Sequence, residues 1–106
     1  METTPDIALY PQERLENAQY DLSLAKRAWS GRSVEDIERD LEAARARERA
    51  EQAKRVPLEQ FGEQSRAINR AVTARFDLMK ERTRALAVKA CEAELEEAEK
   101  APGVIL

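Results

Sequence analysis

Lys54-Arg55-Val56-Pro57-Leu58-Glu59-Gln60 decides how this chain folds, because it is either a break between two helices or a kink within one. Proline pushes the residue before it towards extended geometry, lacks a backbone donor and suits the first turn of a new helix. We read Val56-Pro57 as a tight turn. The segments before and after it are then separate helices, free to lie side by side.

Upstream of the turn, Val34, Ile37, Leu41 and Ala44 recur at helical spacing, followed by Ala43, Ala46, Ala50 and Ala53, which predicts a helix over roughly 34–55. Its outer face mixes acids and arginines at offsets that support a solvated helix. It opens at Ser33-Val34-Glu35-Asp36, which has the form of a capping box, just after Gly31, a residue suited to the left-handed conformation that closes a preceding helix. That first helix spans roughly 12–30. Leu15, Ala18, Leu22, Ala25 and Trp29 lie on one face, and Tyr20, Leu24 and Ala28 nearly opposite, so two neighbours are expected for it.

Downstream, a third helix covers roughly 58–100. Projected at 100° per residue, Phe61, Ser65, Ile68, Val72, Phe76, Met79, Thr83, Leu86 and Ala90 form one seam, read as its core face. Ala67, Ala71, Ala74, Leu78 and Ala85 form a second stripe of small residues, read as a contact surface for another chain.

The first two helices together match the third in length. The expected fold is therefore all-α: a long antiparallel hairpin in which a broken N-terminal pair of helices lies along one long C-terminal helix. Ala53 would face Phe61, Ala46 Ile68, Leu41 Val72 and Ile37 Phe76, with Trp29 near Thr83 and Leu86. The alternative is a three-helix bundle with the first helix folded back. The hairpin would bring the apolar segment Ile7-Ala8-Leu9-Tyr10 to Val104-Ile105-Leu106 as a clasp, with Tyr10 near Gly103, whereas a bundle would leave that tail for a partner.

Composition narrows the function. The chain has 106 residues, 37% of them charged, only 5% aromatic, and eighteen are alanine, so a single domain would have a thin core. A coiled-coil-like homodimer would cover what remains exposed. There is no histidine, which removes the commonest general base and metal ligand. The single cysteine, Cys91, has no second thiol or histidine to pair with and reads as a small apolar filler. Glu92, Glu94, Glu96, Glu97 and Glu99 read as a solvated acidic helix end, since carboxylate di-metal bundles need Glu-x-x-His pairs. The scattered Gly31, Gly62 and Gly103 cradle no phosphate. No enzyme, no cofactor, no metal and no small-molecule substrate are expected. Neither a signal-peptide pattern nor a membrane-spanning run is evident, and the expected compartment is the cytoplasm.

What remains is a protein-interaction module, an adaptor, scaffold or regulatory binding protein. Its contact residues would be Tyr20, Leu24, Ala71, Ala74, Leu78, Ala85, Val104, Ile105 and Leu106, with a second copy of the chain as the first partner. The runner-up is a nucleic-acid-associated regulator. Residues 26–55 hold nine Lys/Arg against seven Asp/Glu, and residues 56–90 seven against four, while both ends are acidic. Arg45, Arg49, Arg66, Arg70 and Arg84 would carry that contact, although interleaved acids dilute the positive field.

Overall fold

The structure is a computed structural model that describes residues 10–104. Helix α1 runs Pro11–Ala28, α2 runs Val34–Ala53 and α3 runs Phe61–Lys100, with a single 3-10 turn at Leu58–Gln60 and no strand among the described residues. Each boundary has a local cause. Pro11 occupies the first position of α1, where its missing N–H costs nothing. Gly31 follows that helix with φ +90°, a conformation that side chains with a Cβ rarely adopt. The Ser33 hydroxyl oxygen accepts the Asp36 N–H at 3.1 Å and caps α2. After α2, Lys54 and Pro57 are extended, so Val56-Pro57 is a break rather than a kink. No described helix is long and apolar enough to cross a membrane.

Contacts divide the chain into two compact units. One joins α1 to the C-terminal part of α3, within residues 10–31 and 84–104. The other is Arg32–Thr83 and joins α2 to the N-terminal part of α3. Both are antiparallel helix pairs. In the Arg32–Thr83 unit, Arg32 meets Glu81 and Glu38 meets Arg82 near the start of α2. Further along, Glu48 meets Arg75, and the carbonyl of Glu51 accepts from Gln64. In the other unit, Arg14 near the start of α1 pairs with Glu94 near the end of α3. This is the pairing expected of the hairpin.

The expected clasp of residues 7–10 on 104–106 falls mostly outside the described residues, and the contacts seen lie next to it. Val104 packs on the cluster of Leu15, Ala18 and Ala98, and Gly103 comes close to the ring of Pro11, one residue on from the expected Tyr10. Ile7, Ala8, Leu9, Ile105 and Leu106 lie outside the described residues.

The expected faces of α1 and α2 are the ones buried. Leu15 and Ala18 are buried on α1, with Leu22, Ala25 and Trp29 half-buried, and Val34, Ile37, Leu41 and Ala44 are buried on α2. The added alanines of α2, Ala43, Ala46, Ala50 and Ala53, are exposed. On α3 the reading inverts. The small-residue stripe turns inwards: Ala71 and Ala85 are buried, and Ala67, Ala74 and Leu78 half-buried. The seam taken for its core faces out, with Phe61, Phe76, Met79 and Leu86 exposed. The expected pairs Ala53–Phe61, Ala46–Ile68 and Ile37–Phe76 therefore do not pack as drawn: Ile37 is buried, but Phe61, Phe76, Ala46 and Ala53 are exposed.

Inward positions on α3 are Gln64, Ala67, Ala71, Ala74, Leu78, Glu81, Ala85 and Val88, alternating steps of three and four residues, which is a heptad repeat of 3.5. This line and the seam run side by side, one residue or about 100° apart, from the start of the helix: Ser65 beside Gln64, Ile68 beside Ala67, Val72 beside Ala71 and Leu86 beside Ala85. Small side chains on the inward line let α3 approach its partner helices closely, and the larger side chains of the neighbouring seam are left outside.

Candidate functional site

Helix pairing sorts the apolar residues of the Arg32–Thr83 unit into two sets. Those on the heptad positions meet the other helix; those on the straight 3.6 stripe meet water. Phe61 is 51% exposed, Phe76 50% and Met79 38%, and Ile68 and Val72 are half-buried along the same line. The carboxylate of Glu48 fixes one edge of this stripe. Its Oε1 accepts from Arg75 Nε at 2.7 Å, and the guanidinium so held lies 4.9 Å from the centre of the Phe76 ring. Arg75 Nη1 also reaches to 3.9 Å from Met79 Sδ. A cation held over a ring face is attracted to its π electrons. The border of the apolar stripe is thus a pinned cation stacked on it.

Of the residues expected to bind a partner, Tyr20 and Leu24 are exposed on α1. Ala71 and Ala85 are buried inside their own units and unavailable to a second chain, which corrects that expectation. Small side chains there let the paired helices approach closely. Ala74 and Leu78 are half-buried on the same inward face, and Val104 is half-buried on the core cluster beside Leu95.

The arginines expected to bind nucleic acid do not form one surface. Arg49 is tied to Glu42 at 3.7 Å. Arg45 and Arg84 are exposed and stand in separate units. Arg66 and Arg70 alone share a concavity: a cleft of about 450 Å³ between the end of α2 and the start of α3, lined also by Glu51, Lys54 and Glu63. An adjoining hollow of about 290 Å³ adds Arg47, one of the basic residues that crowd α2 in the sequence. Which of them comes towards Arg70 is set by the pairing of α2 with α3.

The other charges are largely structural. Arg14 donates two hydrogen bonds to Glu94, at 2.7 and 2.9 Å, and these bonds hold the Glu94 carboxyl below its ordinary range. Arg32 bridges Asp40 and Glu81; the bond to Asp40 is the main reason its guanidinium is held even more firmly in the charged form. Cys91 is half-buried with a free thiol. Among the described residues no group of three or more His, Cys, Asp or Glu side chains is placed to hold a metal ion.

No family model, curated protein or solved structure matches the chain. Its surfaces are the basis for a functional reading.

Proposed function

We propose that this chain is a non-catalytic protein-interaction module of the cytoplasm, an adaptor, scaffold or regulatory binding protein, whose first partner is a second copy of itself. The observation that carries the reading is the line of exposed large apolar side chains on α3: Phe61, Phe76 and Met79, with Ile68 and Val72 between them. A half-exposed phenyl ring leaves on the order of 100 Å² of apolar surface in water, about 2.5 kcal/mol at ~25 cal/mol per Å². Scattered exposed apolar residues need no explanation, but a line of them on one helix does. Such a stripe is its own complement in polarity, so two copies related by a two-fold axis can cover it isologously.

Analytical ultracentrifugation tests this directly. The wild-type chain should sediment above its 12.0 kDa monomer mass at high micromolar concentration. Phe76→Glu with Met79→Glu should return it to a monomer while helicity by circular dichroism is retained. A wild-type chain that stays monomeric throughout that range rejects self-association.

A further inference from the structure

The cleft at the turn between α2 and α3 carries a second, independent reading. Arg14, Arg32, Arg39, Arg49, Arg75 and Arg82 are all held by carboxylates. Arg47, Arg66 and Arg70, like Arg27, Arg45, Arg55 and Arg84, make no ion pair and no hydrogen bond among the described residues. Of these, Arg47, Arg66 and Arg70 line one cleft and the hollow that adjoins it. Of the two acids in that cleft, Glu51 is committed to Lys54 at 2.9 Å, which leaves Glu63 facing the arginines.

Like charges one helical turn apart repel and destabilise a helix, and a concave surface concentrates their field. An anion in the cleft would relieve both. The guanidinium fork matches phosphate oxygens with two parallel hydrogen bonds, which an ammonium cannot do. Arg66 and Arg70 stand about 6 Å apart along the helix axis, so each can serve one of two successive phosphates. No aromatic side chain lines the cleft, so it offers nothing for a base to stack on.

We propose that the cleft formed by Arg47, Arg66 and Arg70 binds the phosphate groups of an oligophosphate chain, read as charge without base recognition. The source is either a free oligophosphate or a nucleic-acid backbone. Titration calorimetry with sodium tripolyphosphate, and fluorescence anisotropy with a labelled oligothymidylate, both at low salt, separate the two. Binding of the oligothymidylate identifies a nucleic-acid backbone; binding of tripolyphosphate alone identifies a free oligophosphate. In either case Arg66→Ala with Arg70→Ala should weaken binding by about tenfold or more. Arg47→Glu, on the other helix, should weaken it as well. Glu63→Gln should strengthen it about threefold, and Arg45→Ala should leave it unchanged. Helicity by circular dichroism keeps loss of binding distinct from loss of fold. The proposal is overturned if neither probe binds saturably at low salt, or if the folded double variant binds as the wild type does.

Discussion

The carboxamide nitrogen of Gln64 donates to the backbone carbonyl of Lys54 at 2.8 Å, and to that of Glu51 at 3.0 Å. The last carbonyls of a helix have no partner within it. Here a side chain from the first turns of α3 supplies one for the end of α2. Gln64→Ala should cost about 1–2 kcal/mol by urea denaturation, as expected for two hydrogen bonds at a partly buried helix end. Gln64→Glu should cost at least as much, since a carboxylate cannot donate. A loss under about 0.3 kcal/mol in both would mean that the turn is held by Val56-Pro57 alone.

The inward orientation of the small-residue stripe has a direct consequence for substitution. Ala71→Leu should destabilise the fold by about 1–3 kcal/mol through overpacking. Met79→Leu on the outer stripe should change it by less than about 0.5 kcal/mol. If Ala71 instead lay on a free face, the leucine would be neutral in thermal denaturation. Leu78→Glu should unfold its unit, while Leu24→Glu, at an exposed position, should not.

The bond from Arg14 sets a pH dependence. Because it holds the Glu94 carboxyl below the ordinary value of 4.5, the pair stabilises the folded chain above that value and loses its effect as pH falls through the lower, folded one. Glu94→Gln should therefore flatten the decline in urea midpoint below pH 4.5 and leave the profile between neutral pH and that point unaltered. An acid limb identical to that of the wild type would show that other carboxylates account for it.

Gly103 has φ +89°, and a Cβ built there would stand 3.3 Å from Pro11 Cγ. Gly31 has nearly the same φ with nothing within 4 Å. Gly31→Ala should cost about 1 kcal/mol for the backbone alone, and Gly103→Ala more, since the Pro11 ring must also give way. Equal losses in melting experiments would argue against the close approach of Gly103 to Pro11.

Helix ends and helix pairing were legible because single residues with one-sided preferences mark them: Gly31, Ser33 and Pro57 each permit little else. The inward faces of α1 and α2 were legible because their large apolar side chains, Leu15 on α1 and Val34, Ile37 and Leu41 on α2, are the ones that pack. On α3 the larger side chains of Phe61, Phe76 and Met79 outweighed the alanines that pack. Gln64 was not legible at all, and Arg47 only as one of the basic residues that crowd α2. Both act across the turn, and their partners or neighbours are set by the angular placement of two helices rather than by any local pattern.

That α3 packs through positions repeating every seven residues makes it far less tolerant of a change in length than of a change in residue. One residue inserted after Ala74 would move Asp77 into the place of Leu78 and Arg84 into that of Ala85, driving charge into both helix interfaces. Seven inserted residues would keep every later position on its original side. In this helix the count of residues between two points is under tighter constraint than the identity of most residues that fill it.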